Sequence, residues 1–159
     1  MKEYDIKELR LKAEAYCSAA EHCASEVSGK LRQWGASDED RDAIIAYLFK
    51  EKYIDSVRYC GAFARDKYRF ACWGRIKIAQ ALKMKGLSTD EITAGMEEID
   101  NEEYHAILRD MLIKKQKSIT ARNNYERNMK LMRFAVGRGF RMDEIRKHIE
   151  SADDTEYME

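Results

Sequence analysis

The 159-residue sequence contains no proline. The residue that most strongly breaks helices is therefore absent throughout. No run of eighteen apolar residues occurs, so no segment reads as a membrane span. The first eleven residues alternate charged and apolar side chains and lack the apolar stretch of a secretory leader. The sequence is accordingly read as cytoplasmic, with no membrane partner. Histidine is scarce, with three residues, and cysteine is limited to four. Cys17, Cys23, Cys60 and Cys72 form no C-x-x-C pair, and the spacing of a zinc site is not met even with His22 beside Cys23. They read as reduced thiols in or near helix cores. Neither a G-x-x-x-x-G-K-[ST] loop nor a G-x-G-x-x-G turn is present. His22, His105 and His148 lie far apart in the chain and read as surface residues, and no serine, histidine and acid share the spacing of a triad. No catalytic residue, metal or cofactor is assigned, and the chain reads as a non-enzyme.

What is present favours helix. Hydrophobic residues make up 45% of the chain, enough for a core, and the 36% that are charged are rich in Lys, Arg and Glu, all good helix formers. The formal net charge of zero hides a pattern. Residues 1–49 carry a net −3, 50–86 a net +7, 87–104 a net −7, 105–147 a net +8 and 148–159 a net −5. Two dense basic blocks thus alternate with short acidic ones. Blocks of this kind suit nucleic acid or an acidic protein surface, and equally an ordinary solvated helix face.

Glycine supplies the punctuation. Gly35, Gly86 and Gly139 each close a helical apolar pattern, at intervals of 51 and 53 residues, and glycine just past a helix end adopts the left-handed cap at little cost. Ser88 with Glu91 three residues on forms a capping box after Gly86; Ser37 with Asp38–Asp40 is a weaker version after Gly35. Apolar positions recur in register with these glycines: Val27 and Leu31, Ile78 and Leu82, Leu131 and Ala135 before them, and Ile45 and Leu48, Met96 and Ile99, Ile149 and Ala152 after them. A repeat of about fifty residues implies stacked supersecondary units. Each unit is expected to hold three helices: 6–20, 22–34 and 38–52; 55–71, 74–85 and 89–100; 101–119, 122–138 and 142–151. The domains are then 1–54, 55–100 and 101–152, followed by an acidic tail over 153–159 that is expected to fray. The fold class is all-α, with three tandem three-helix repeats forming an elongated, curved rod.

On the middle helix of the second unit, Ile78, Ala79 and Leu82 share the core face, while Ile76, Lys77, Gln80, Lys83 and Met84 face outward. In the third unit Leu131 and Ala135 face inward, and Met129, Lys130, Arg133 and Val136 outward. Ile76-Lys77 and Met129-Lys130 occupy the same repeat positions, where the first unit has Ser25-Glu26. This apolar and basic face suits either a protein partner or the neighbouring repeat. A second cluster, Arg65-Asp66-Lys67-Tyr68-Arg69-Phe70 with Trp73 and Arg75, interleaves cations and rings. Such mixtures hold phosphates and bases, although Phe63, Phe70 and Trp73 read first as core anchors. Phe140 is expected to dock at its helix cap. The acids Glu97, Glu98, Asp100, Glu102 and Glu103 read as a solvated corner.

These residues, in this order, resemble the RecX family of recombination regulators from about residue 12 to 150. The resemblance runs through Ala15-Tyr16-Cys17, Glu21-His22, Glu26-Val27, Lys30-Leu31 and Trp34-Gly35. It continues through Tyr53-Ile54-Asp55 and Arg58, then Phe63, Asp66-Lys67, Trp73-Gly74, Lys77-Ile78, Leu82 and Lys85-Gly86-Leu87, and ends on Lys130-Leu131, Arg133-Phe134 and Arg138-Gly139-Phe140. Ser56 and Tyr59 depart from the family's usual aspartate and phenylalanine. The resemblance implies binding along the groove of a RecA filament on DNA, touching more than one subunit and hindering filament growth, strand exchange, ATP hydrolysis and co-protease activity in recombination, repair and the SOS response. The protein is expected to be a monomer, with single-stranded or filament DNA as a further contact. The residues assigned to that surface are Arg58, Arg65, Lys67, Arg69, Arg75, Ile76, Lys77, Lys85, Met129, Lys130, Arg133 and Arg138. A stand-alone basic helical module that binds DNA or RNA is the alternative.

Overall fold

The computed structural model describes residues 3–157, and the side chains of residues 3–149. Among the described residues there are nine helices and no strand. The first three are α1 (Ile6–Ala19), α2 (Ala24–Gln33) and α3 (Asp38–Lys50); the next three are α4 (Ser56–Phe70), α5 (Arg75–Met84) and α6 (Thr89–Met96). The last three are α7 (Asn101–Gln116), α8 (Asn124–Gly137) and α9 (Met142–Tyr157). The chain is therefore all-α, with helices in three sets of three. The backbone of α9 runs on to Tyr157, beyond the expected end at 151. The side chains of Ala152 and of the acidic tail lie outside the described residues.

The helix ends follow from identifiable residues. Ser37 accepts from the amide of Asp40 at 3.1 Å, and Ser88 and Glu91 satisfy each other's backbone amides at 3.1 and 2.8 Å. Gly35, Gly86 and Gly139 all have φ between 92° and 96°. In each case the following residue donates back five positions: Ala36 to Leu31 at 2.9 Å, Leu87 to Leu82 at 3.3 Å and Phe140 to Ala135 at 3.1 Å. Two further left-handed positions are not glycine. Lys52 at φ 63° and Cys72 at φ 53° close α3 and α4.

The chain divides into two compact bodies. Residues up to Ala62 with Leu82–Glu97 form one, and Phe63–Ala81 with the chain from Glu98 onward form the other. In the first body α1, α2 and α3 pack on one another around Leu9, Ala13, Val27, Leu31, Ile44 and Leu48, all at most 2% exposed. In the second, α7, α8 and α9 pack together, with Tyr68, Ile78, Tyr104, Leu108, Ala135 and Ile145 fully buried. The repeating apolar positions Val27, Leu31, Ile78, Leu82, Leu131 and Ala135 are all buried. Their burial is the physical reason for the fifty-residue period.

The repeats are joined by a recurring contact. In the first body, Ser25 near the start of α2 donates its hydroxyl to the carbonyl of Lys85 at 2.7 Å, beside the Gly86 corner. In the second, the amide of Gly74 donates to the carbonyl of Arg138 at 2.8 Å and that of Ile76 to Gly139 at 3.0 Å. A β-carbon on Gly74 would lie 2.3 Å from the Gly139 carbonyl group, and one on Gly139 would lie 2.4 Å from the β-carbon of Lys77. The bare backbone at both positions is therefore what lets α5 meet the α8–α9 corner.

Candidate binding surface of the second and third repeats

The most distinctive local arrangement lies at the turn from α4 into α5. Cys72 takes the left-handed conformation, and the Trp73 amide donates back to the carbonyl of Lys67 at 3.1 Å. This reversal lays the indole of Trp73 against α4. The ammonium of Lys67 sits 4.7 Å from the ring centroid and 5.3 Å from that of Phe63, one helical turn earlier. Lys77, in the first turn of α5, places its ammonium 4.7 Å from the same Trp73 ring. Two cations thus share one indole, each held by a contact worth about 0.5–1 kcal/mol at an exposed site. Trp73 and Phe63 are half-buried, as partial anchors. Phe70, expected in the core, is 83% exposed. As the last residue of α4 it points to solvent, because Tyr68 takes the buried position near the end of that helix.

The other assigned residues fall into distinct settings. Arg138 donates its Nη2 to the carbonyl of Ala71, at the same turn. Arg65 pairs with Glu98 at 3.3 Å, and Arg69 with Glu103. The hydrogen bond from Arg69 holds the Glu103 carboxyl below the usual carboxylate range. Arg75 lies over the Tyr104 ring at 4.8 Å and 3.9 Å from Glu144, while its amide donates to the Tyr104 hydroxyl at 3.1 Å. In the first body Arg58 binds Glu21 at 2.7 Å and the carbonyls of Lys52 and Tyr53, and Lys85 lies 3.8 Å from Glu26. Lys130 pairs with Glu126 at 3.4 Å and donates to the Thr120 carbonyl at 2.7 Å. Arg133 is exposed on α8.

The apolar members stand out as expected. Ile76 is 45% and Met129 42% exposed. On α8 the exposed Tyr125, Met129, Arg133 and Val136 fall at helical spacing along one stripe. Ile76 and Met84 are likewise exposed on α5.

Several features were not read from sequence. Of the acids expected to form a solvated corner, Glu97, Glu98, Asp100 and Glu102 are exposed, yet three of the five also have partners: Glu98 and Glu103 bind arginines of α4, and Asp100 caps α7 by accepting from the amides of Glu102 and Glu103 at 3.0 and 3.2 Å. His105 and His148, expected to lie apart on the surface, meet with Nδ1 and Nε2 3.0 Å from one another, and both are half-buried. His22 stacks on Tyr16 with centroids 3.7 Å apart. The first repeat also carries a lysine–aromatic cluster of its own, in which Lys12 lies over Tyr4 and Trp34 at 4.1 and 4.7 Å. The signal for the lysine–aromatic contacts was available in part: Phe63–Lys67 is an i, i+4 pair on α4, the spacing at which helix side chains meet, whereas Trp73 lies in the turn before α5. The histidine contact joins separate helices and leaves no such local trace. All four cysteines are free, with Cys17, Cys23 and Cys60 buried. Burial pushes the Cys60 thiol up to about 11, so it stays protonated at neutral pH. Among the described residues no group of three or more metal-binding side chains converges, and no helix is long and apolar enough to cross a membrane.

Comparison with known proteins agrees with this architecture. Residues 57–96 match the second three-helix domain of RecX, and residues 102–149 match its third; the two together cover more than half of the chain. Proteins named regulatory protein RecX are similar over most of its length. That of Prosthecochloris aestuarii is 26% identical over 150 residues, covering 94% of this chain and 97% of its own. Those of Leuconostoc mesenteroides and Clostridium botulinum are 23% and 29% identical over 80% of this chain, which spans only 48% and 60% of their respective lengths. The crystal structure of RecX from Lactobacillus salivarius superposes with a TM-score of 0.76 at 21% identity, covering 93% of this chain and 96% of that one. A second RecX crystal structure gives the same TM-score at 19% identity, covering 91% and 74%.

Proposed function

The chain belongs to the RecX family, whose members are named regulatory proteins, and from that membership we propose that it regulates RecA by binding the RecA–DNA filament. It acts by binding rather than by chemistry. A protein that holds filament subunits in one arrangement opposes the transitions needed for growth, strand exchange, ATP hydrolysis and repressor cleavage, by the difference in its affinity for the two arrangements. Contacts from successive repeats reinforce one another through effective concentration.

The observation that carries the reading is the outward face of α5 and α8. Exposed Ile76 and Met129 occupy matching repeat positions, each followed by a lysine, and Met129 continues into a stripe with Tyr125, Arg133 and Val136. Met, aromatics and Arg are the residue types enriched at the centres of protein interfaces. RecA's DNA-dependent ATP hydrolysis, measured with this protein titrated in, tests the reading. Inhibition well below one copy per RecA subunit supports filament binding across several subunits. Inhibition only near saturation of the DNA supports simple competition for the strand. Unaffected hydrolysis with tight binding to bare DNA supports the stand-alone nucleic-acid module.

A further inference from the structure

The cations assigned to the surface are not equivalent, and what each one touches separates them. Arg58, Arg65, Arg69, Arg75, Lys85 and Lys130 all lie within 4 Å of a carboxylate of the same chain. Their charge is largely matched already, and drawing them to an outside anion means giving up an existing partner. Arg133 belongs to the exposed stripe of α8 and has no ion pair among the described residues. Lys67, Lys77 and Arg138 differ from both. The two lysines end on the Trp73 ring, and Arg138 donates to the neutral carbonyl of Ala71. Among the described residues none of the three forms an ion pair, and Asp66, next to Lys67 in sequence, is exposed and does not pair with it.

All three are brought to one place by the backbone. Lys67 and Lys77 approach the same indole from α4 and α5. Arg138 reaches Ala71 within the same turn, and its carbonyl receives the amide of Gly74. A ring quadrupole positions an ammonium without neutralising it. The turn therefore concentrates three unneutralised positive charges whose side chains are already partly ordered, so less entropy is given up when an anion arrives. We propose that Lys67, Lys77 and Arg138, gathered around Trp73 at the Cys72–Gly74 turn, form a docking point for the phosphate backbone of single-stranded DNA. It rests on the reading above only in that a filament regulator meets such a strand. It also separates the two halves of that surface: the exposed apolar stripe of α8 faces protein, and the Trp73 turn faces nucleic acid. Lysine and arginine bonds to phosphate position a protein on a strand without reading its sequence.

The test uses the full chain without RecA. Binding to a fluorescein-labelled oligothymidylate of roughly 30 nucleotides, long enough to engage several phosphates at once, is followed by anisotropy over a range of salt. K67Q/K77Q is expected to bind about tenfold more weakly at low salt. Its slope of log affinity against log salt should fall by about 1.4, because each phosphate neutralised on a single strand contributes about 0.7. R65Q/R69Q, which removes the same number of cations from acid-paired positions, should leave the slope unchanged. K67R/K77R keeps both charges and should restore binding, which separates removal of charge from damage to the fold. Wild-type affinity and slope in K67Q/K77Q, equal weakening in both glutamine pairs, or no binding by the wild type would each overturn the site. RecA hydrolysis measured in parallel keeps the two readings apart. If the wild type binds the oligonucleotide through these lysines yet leaves RecA untouched, the site stands and the RecA reading falls. If RecA is inhibited while K67Q/K77Q binds DNA like the wild type, the reverse holds.

Discussion

Nδ1 of His105 and Nε2 of His148 lie 3.0 Å apart, joining α7 to α9 within the second body. One proton serves the contact, and a second would set two N–H groups against each other and leave a charged ring in a half-buried place. Burial, then His105, then Arg109 and Lys147 hold the His148 imidazole below its ordinary value of 6.5. Tyr104, whose ring meets His105 edge-on at 5.5 Å, is the other titratable neighbour, and burial keeps it protonated. A histidine whose folded pKa is depressed binds fewer protons in the native state. The stability it contributes is complete above the unfolded value and is lost as the pH falls from there through the folded value. Melting should therefore occur several degrees lower at about pH 5 than at about pH 7.5, with part of the drop assignable to this pair. His148→Gln should reduce the pH dependence below about 6.5. Identical pH profiles for variant and wild type would show that the contact does not couple to stability.

Gly74→Ala tests the meeting of α5 with the α8–α9 corner. The added methyl has backbone, not a flexible side chain, within 2.3 Å, so main chain must shift. Forced overpacking of this kind costs about 1–3 kcal/mol, a fall in Tm of about 2–4 °C per kcal/mol for a chain of this size. Gly29→Ala is the control, because nothing lies within 4 Å of its added carbon. It should leave the melt unchanged or raise it slightly.

Ser88→Ala removes one half of the capping box that starts α6, and should cost about 1 kcal/mol. The backbone hydrogen bond from Ser88 holds the Glu91 carboxyl below the usual range. The stability this supplies is present above the unfolded carboxylate value and lost on acidification through the folded one. Glu91→Gln should therefore destabilise at neutral pH and matter progressively less in acid, as read from denaturant midpoints across that range.

Ile76→Ser with Met129→Ser tests the protein-facing part of the surface. Both side chains are more than 40% exposed, so the fold should tolerate the change within about 0.5 kcal/mol. Inhibition of RecA hydrolysis should weaken by about tenfold, the effect expected when interface anchors are truncated. Full inhibition by the folded double variant would remove these residues from the interface.

Most of the fold was legible because its determinants are local. Gly35, Gly86 and Gly139 punctuate the chain where left-handed caps are needed, and Val27, Ile78 and Leu131 recur in register because each fills the same place in its repeat. The breaks at Lys52 and Cys72 were less legible. Their left-handed conformations carry no glycine, and only Trp73-Gly74 hinted at the second. Site chemistry was legible to the extent that it follows helical spacing. Ile76 and Met129 were read as exposed from their angles on α5 and α8. The partners of Arg65, Arg69 and Arg75 were not, because Glu98 in the α6–α7 connection, Glu103 on α7 and Glu144 on α9 are remote from them in sequence. Phe70 was misread for a related reason: an aromatic in an apolar pattern suggests burial, yet Tyr68 already fills that position.

The clasp between Ala71 and Arg138 spans 67 residues of chain, whereas the helix pairings within the first and third sets connect immediate or next neighbours. Closing the longer loop brings the greater entropic cost, so short-range pairings are favoured to assemble earlier. The clasp then belongs to the late stage of folding. Weakening it with Gly74→Ala should chiefly speed escape from the native state and leave the refolding limb of a chevron nearly unmoved. The glycine that allows two backbones to touch would thus act as a brake on unfolding, lengthening the lifetime of the assembled protein without setting how fast it forms.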